Sequence, residues 1–353
     1  MKLDLKNIQW KEFEIGNEFC IQNSKAYHKT ALKETKDFGI PYISRTNLNN
    51  GLESIVKKDN YTINKKNTIV FGAENAKFFY QPSEYITGNK MYFIEKENLN
   101  KYSSLFIQMM LNKSIINCGF GYDKGLIGSR VEKRFVLLPV NVKGEPDYVF
   151  MEKFMMEKEK EKTNSFKKYI EKRINEVKNY KESKIIKEIK WIEFKLIDLF
   201  HFEKGNQNNM TSLINGNIPL VSAKNGDNGL KSFVTSNSKK KFHKYCLTLN
   251  NDGDGGAGIS YFQPFDFLLD SHVTALKPKK ELNKFILLFI SRCITKQRNK
   301  FGHGYSLTNN RLSAFKMMLP VNSKNEPDYE FMENYIKKIE FDKLNKYLRR
   351  ING

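Results

Sequence analysis

The sequence predicts an α+β fold of two similar modules, each a small mixed β-sheet plus helices, separated by an antiparallel pair of long helices. Three observations predict it. One stretch occurs twice, as LLPVNVKGEPDYVFMEKF from Leu137 to Phe154 and as MLPVNSKNEPDYEFMENY from Met318 to Tyr335, so that Pro139 maps onto Pro320, 181 residues on. The same order of strand-like runs and helical stripes precedes each copy, the mark of a repeated module. The segment after each copy carries an apolar stripe at helical spacing, which is unstable alone in water and calls for a partner helix.

The boundaries follow from the repeat: 1–146 and 189–327 for the modules, 147–188 and 328–353 for the helices. Each module opens on Trp-x-x-Phe, with Trp10 and Phe13 in the first and Trp191 and Phe194 in the second. These are the only two tryptophans, and large aromatics at matched positions read as core anchors. A short helical or strand segment follows, around Ile15 to Ile21. Next come IPYISRTNLNNGLE (40–53) and IPLVSAKNGDNGLK (218–231), each a strand entering a polar loop that closes on an Asn-Gly-Leu turn. The loops share a scaffold but not their polar residues: Arg45, Asn47 and Asn49 in one, Lys224, Asn225 and Asp227 in the other.

Strand-like pieces at 67–82 and 245–264 both end in an aromatic followed by Gln-Pro. The second holds Gly253, Gly255 and Gly258, a formal G-x-G-x-x-G. A dinucleotide site needs a helix after that pattern. The continuation ISYFQPFDF is β-prone, so a glycine-rich hairpin tip is expected instead. Asp270-Ser271-His272 has catalytic vocabulary, but its counterpart Thr87-Gly88-Asn89 does not, and both read as strand-associated polar residues. Helices are expected over 101–115 and 284–298.

Two further loops, 117–139 and 298–320, mix glycine, aromatic and hydrogen-bonding residues, with Phe120-Gly121 aligned on Phe301-Gly302. Tyr122, Lys124, Ser129 and Arg130 in the first, and His303, Tyr305, Ser306, Asn309, Asn310 and Arg311 in the second, are candidate DNA contacts. Arg, Asn and Lys are the side chains that reach base edges and phosphates. Each tail helix starts after Asp147 or Asp328, in the N-cap position. The first is expected to run to about Ile186, on the order of 55–60 Å. Phe154, Phe166, Ile170 and Ile174 on it, and Ile336, Ile339 and Leu344 on its twin, are the candidate partner-binding residues.

Lys and Arg total 60 against 39 Asp and Glu, a net charge of +21. Such a surplus points to polyanionic partners; the plain alternative is a lysine-rich composition filling solvated faces. No apolar run reaches the ~18–20 residues that span a bilayer, so no membrane partner is expected. The start MKLDLKNIQW has no signal-peptide core. Four widely spaced cysteines (Cys20, Cys118, Cys246, Cys293) suggest reduced thiols and a cytoplasmic protein, with no metal site. No Asn/Asp-Pro-Pro-Tyr/Phe methyltransferase motif, phosphate loop or His-Glu-x-x-His is present.

In this order, the Trp-x-x-Phe openings, Ile-Pro strands, aromatic-Gln-Pro segments and Leu-Pro…Glu-Pro-Asp-Tyr helix entries resemble the DNA specificity subunit of type I restriction–modification systems. They are similar too to the recognition subunits of type IIB enzymes of the BcgI kind. The resemblance covers nearly the whole chain and implies that each module is a target recognition domain reading one half of a split site on double-stranded DNA. It implies no catalysis and no cofactor in this chain. Partners are implied instead: DNA adenine methyltransferase subunits, two of them, and in type I systems an endonuclease/translocase subunit. Those would bring S-adenosylmethionine, Mg2+ and ATP. Because the loops differ between halves, the expected target is asymmetric. Two other classes stand beside this reading: a self-contained nuclease or methyltransferase, and an interaction scaffold that does not read DNA.

Overall fold

The computed structural model describes residues 3–182, 186–236, 238–252, 256–301 and 305–352. The chain divides into two compact units, Met1–Phe166 and Lys167–Gly353. Both are α+β and use one plan.

The Trp-x-x-Phe stretch of each unit is a strand, and the helical or strand segment expected around Ile15 to Ile21 is a helical turn, Ile15–Glu18, followed by a strand, Cys20–Asn23. Trp10–Glu14 pairs antiparallel with Phe135–Pro139, Trp10 opposite Pro139. Trp191–Lys195 pairs with Lys316–Pro320, Trp191 opposite Pro320. The sequence repeat is therefore a repeat of register. A helical turn follows, Ile15–Glu18 or Leu196–Leu199, and then the first strand of a larger sheet.

In unit 1 that sheet is antiparallel, in the order Cys20–Asn23, Met91–Glu95, Thr68–Gly72, Phe78–Gln81. In unit 2 it is Phe200–Lys204, Val273–Pro278, Cys246–Asn250, Ser260–Gln263. A second sheet joins Leu52–Val56, Ile40–Ile43 and Ile86–Thr87 in unit 1. Its counterpart joins Leu230–Val234, Asn215–Val221 and Phe267–Leu269 and adds a fourth strand, Lys241–Phe242.

The helices Lys101–Ser114 and Lys284–Thr295 begin where expected, the second ending three residues short of Arg298, which opens a separate turn, Arg298–Lys300. Asn100 and Asn283 cap them, each side-chain oxygen accepting two backbone N–H groups of the first turn. Both helices bury an apolar face, Phe106, Ile107 and Leu111 in one and Leu287, Ile290 and Ile294 in the other.

The duplicated aromatics meet where opening strand, helix and tail converge. Trp10 stacks on Phe106 at 6.3 Å, and Phe154 meets Phe106 edge-on at 5.9 Å. Trp191 stacks on Phe289 at 6.2 Å, and Tyr335 meets Phe289 edge-on at 5.7 Å. Both tryptophans are half-buried against their unit's core.

The Asn-x-Lys-x-Glu-Pro-Asp-Tyr stretch is a built turn. Asn141 Oδ1 accepts the N–H groups of Lys143 and Glu145, and Asn322 Oδ1 those of Lys324 and Glu326. The tail helix then starts on its aspartate: the Phe150 N–H donates to Asp147 Oδ1 and the Phe331 N–H to Asp328 Oδ1, both at 2.9 Å. Asp147→Ala or Asp328→Ala is expected to cost about 0.5–2 kcal/mol, read by urea unfolding.

The first tail helix spans Tyr148–Val177, 30 residues, or about 45 Å. It stops well short of Ile186. The reason lies in the chain that follows: the Lys181 N–H, which a continuing helix would direct at Val177, donates instead to Asn334 Oδ1 at 3.0 Å. Tyr180 rests edge-on against Phe341 at 5.6 Å. The second tail helix, Tyr329–Asn352, has 24 residues. Within unit 2 the two helices pack antiparallel: Arg173 grips Glu340 through Nε and Nη2, and Lys181 pairs with Glu330, earlier on the partner helix.

Candidate nucleic-acid interface

The Asn-Gly-Leu turns and the aromatic-Gln-Pro segments form one lock, made twice. Asn50 and Asn228 are left-handed, φ 57° and 55°, a conformation asparagine tolerates better than most residues. Asn50 Nδ2 donates to the Tyr80 carbonyl at 2.7 Å, and Gln81 Nε2 returns a bond to the Asn50 carbonyl at 3.1 Å. Asn228 Nδ2 donates to the Phe262 carbonyl at 2.9 Å, and Gln263 Nε2 to the Asn228 carbonyl at 3.2 Å. Gln81 and Gln263 are buried. These motifs hold the polar loop onto the sheet edge.

The unlike residues of each unit gather around the hairpin tip that follows Thr68–Gly72 or Cys246–Asn250. In unit 1 the Leu126 N–H donates to the Ala73 carbonyl at 2.7 Å, anchoring the loop that carries Tyr122 to Arg130. Asn75 Nδ2 donates to the Thr46 carbonyl at 3.3 Å, anchoring the loop that carries Arg45 to Asn49. In unit 2 the Leu307 N–H donates to the Asn251 carbonyl at 2.7 Å, and Asn250 Nδ2 to the Lys224 carbonyl at 3.3 Å. One tip thus carries both candidate loops in each unit. Sequence reading missed it, because Glu74-Asn75 looks like any hairpin tip. Gly253 and Gly255 of the second tip lie outside the described residues, as does His303.

Arg45 is half-buried and ion-paired to Glu74. Lys90, at 2.8 Å from Glu74, and Arg45 hold that carboxyl below the usual range. Arg45 and Asn49 line a cleft of 570 Å³ with His28, Lys29 and Asn89. Asn47 and Asn49 are exposed. Tyr122, Lys124, Ser129 and Arg130 are exposed outside that cleft. Arg130 and Arg311 sit on short helices, Gly128–Glu132 and Asn309–Ser313, rather than in open loops. Each Nη1 donates to a backbone carbonyl five residues back, of Gly125 or Ser306, at 2.6 Å. Both arginines thus close their loops; Arg311 also lies 3.7 Å over the Tyr305 ring.

In unit 2, Ser306, Asn309 and Asn310 line a cleft of 380 Å³ with Lys204, Asn251 and Asp252. Lys224, Asn225 and Asp227 are exposed beyond it, Lys224 paired with Asp227. His272 Nδ1 lies 2.9 Å from Asp252 Oδ2, and this hydrogen bond holds the imidazole above its ordinary range. Asp252 lines the cleft, and as pH rises through that raised value its positively charged partner is neutralised. DNA affinity is expected to fall there, and His272→Gln to flatten the profile measured by anisotropy.

Of the candidate partner-binding residues, Phe154 is buried in the core of unit 1, and Ile170 is buried as well. The apolar stripe of a helix root faces its own core first. Phe166 is exposed, and Ile174, Ile336, Ile339 and Leu344 are half-buried. Among the described residues no three His, Cys, Asp or Glu converge as a metal site, and no helix is long and apolar enough to cross a membrane.

Residues 7–168 and 188–349 each match the family model of the type I restriction modification DNA specificity domain. The chain belongs to this family. It is a DNA specificity subunit of a restriction–modification system, the non-catalytic member of such systems. It is 28% identical over 338 residues to the specificity subunit S.BcgI of a type II restriction enzyme of Heyndrickxia coagulans, covering 94% of this chain and 95% of that one. The fold is similar to that of the S subunit of a type I restriction–modification system from M. genitalium, with TM-score 0.56 and 16% identity, covering 100% of this chain and 95% of that chain. The specificity domain is thus present twice, and the motifs that carried the resemblance are its frame.

Proposed function

We propose that each unit reads one half of a split, asymmetric site on double-stranded DNA and that the tail helices recruit methyltransferase subunits, two to a complex. The observation that carries this reading is the hairpin tip in each unit, which holds two polar loops whose counterparts differ. Unit 1 offers Arg45, Asn47, Asn49, Tyr122, Lys124, Ser129 and Arg130. Unit 2 offers Lys224, Asn225, Asp227, Tyr305, Ser306, Asn309, Asn310 and Arg311. Two unlike readers on one frame suit two unlike half-sites.

Phe166, Ile174, Ile336, Ile339 and Leu344 are the partner-facing residues of this reading. S-adenosylmethionine, Mg2+ and ATP act on the partners, an endonuclease subunit among them. The likeness to a type II specificity subunit along nearly the whole chain favours a system that joins methylation and cleavage in one assembly.

Selection from random duplexes, with the methyltransferase subunit present, is expected to return two short unlike motifs at fixed spacing; one continuous motif overturns the proposal. Arg45→Ala is expected to cost about 1–3 kcal/mol of DNA binding and to relax sequence preference in one half only. Equal weakening on every sequence would make Arg45 a phosphate contact. Cleavage or methyl transfer by the purified chain alone, given DNA, Mg2+ and S-adenosylmethionine, would overturn the assignment of chemistry to partners.

A further inference from the structure

Where unit 1 makes a single bridge, Asn64 to Tyr85, unit 2 makes a two-residue strand, Lys241–Phe242, which borders a groove of 900 Å³. Its floor is apolar, with Phe242, Leu282 and Ile286 buried. Its rim carries Lys240, Lys244, Lys277, Lys279 and Lys280, all exposed. Lys240 is paired with Glu203, but among the described residues Lys244, Lys277, Lys279 and Lys280 have no ion pair. The groove lies away from the loops described above. Cys246, at one end of its strand, lines it; Asn250, at the other end, reaches Lys224. Four steps along that strand separate the two by about 14 Å.

Tyr245 stands on the rim and is 51% exposed. Its backbone is left-handed, φ 62°, an unfavourable conformation for a bulky side chain. The equivalent residue of unit 1 is Asn67, φ 61°, and the two make the same bond: Tyr245 N–H to the Gln263 carbonyl and Asn67 N–H to the Gln81 carbonyl, each at 2.8 Å. The frame therefore accepts asparagine here, and unit 2 places a half-exposed aromatic at the same strained point. Strain retained at an exposed side chain is a mark of use.

We infer that this groove binds a single-stranded stretch of nucleic acid, one base stacking on Tyr245 and the backbone phosphates tracking along Lys244, Lys277, Lys279 and Lys280. An aromatic platform inside a lysine-lined groove is what an unpaired strand needs, since every base has a stacking face. A duplex keeps its bases from the ring and would use only the lysines.

The test uses the full chain and fluorescence anisotropy with a labelled oligothymidylate and a labelled mixed-sequence duplex. Tyr245→Asn adopts the residue that the same backbone carries in unit 1, so folding is expected to be retained, as thermal unfolding will show. The variant is expected to lose about 5- to 150-fold in oligothymidylate affinity, the stacking contribution of one base, with duplex affinity unchanged. Lys277→Ala combined with Lys279→Ala and Lys280→Ala is expected to weaken the same binding and to flatten its salt dependence. If Tyr245→Asn has no effect while the lysine variant weakens both probes alike, the groove is a duplex phosphate contact and the inference fails. If neither variant moves nucleic-acid binding but assembly with the methyltransferase subunit is lost, the groove takes an acidic protein surface and the inference fails. Neither outcome bears on the split-site selection above.

Discussion

A duplex carrying the target site is expected to lose about 10³- to 10⁵-fold in affinity for this chain as salt rises from 50 to 200 mM, the range for six to ten phosphate contacts. The charge balance of +21 motivates the number. Each phosphate neutralised by Lys or Arg releases condensed counterions, and added salt opposes that release. Several cations are already engaged within the protein: Arg45 with Glu74, Lys29 with Glu53 and Lys224 with Asp227. They reach phosphates only by exchanging a carboxylate for one. Lys124, exposed beside Phe120, has no such carboxylate among the described residues. Anisotropy titrations at several salt concentrations measure the slope. A flat response would mean that the surplus charge is solvated decoration.

Phe154→Ala is expected to cost about 3–5 kcal/mol, enough to unfold much of unit 1. The ring is 7% exposed and contacts Phe106 and Phe150, both at 5.9 Å. Its truncation opens a cavity where opening strand, helix and tail meet. Phe166→Ala, at a ring 47% exposed, is expected to change stability by less than about 1 kcal/mol. Urea unfolding of the two variants separates core from surface. A Phe154 variant as stable as the parent would show that the aromatic cluster contributes little to holding the tail helix.

The fold was legible because repetition supplies its own control. Trp10 and Trp191, Pro139 and Pro320, and Asp147 and Asp328 keep both spacing and chemistry, and the structure gives each pair the same register, packing or cap. Positions that differ between the copies pointed to the variable loops. What stayed illegible is non-local. Nothing in Ala73-Glu74-Asn75 announces that the tip will hold two loops, because its partners lie far off in the chain, Arg45 and Thr46 behind it and Leu126 ahead. Nothing after Val177 announces the helix end, because the group that captures Lys181 belongs to Asn334. Phe154 and Ile170 fell on an apolar stripe that periodicity identifies, but periodicity does not say whether the stripe faces its own unit or another protein.

The reciprocal bonds of Asn50 with Gln81 and of Asn228 with Gln263 are made between main-chain carbonyls and side chains that sit behind the variable residues. What is written at the front of the loop is therefore decoupled from what keeps the loop in place. New letters can be tried at the exposed Asn47 or Asn225 without touching those bonds, so a lineage carrying this scaffold can drift from one target to another while the frame of the loop is kept.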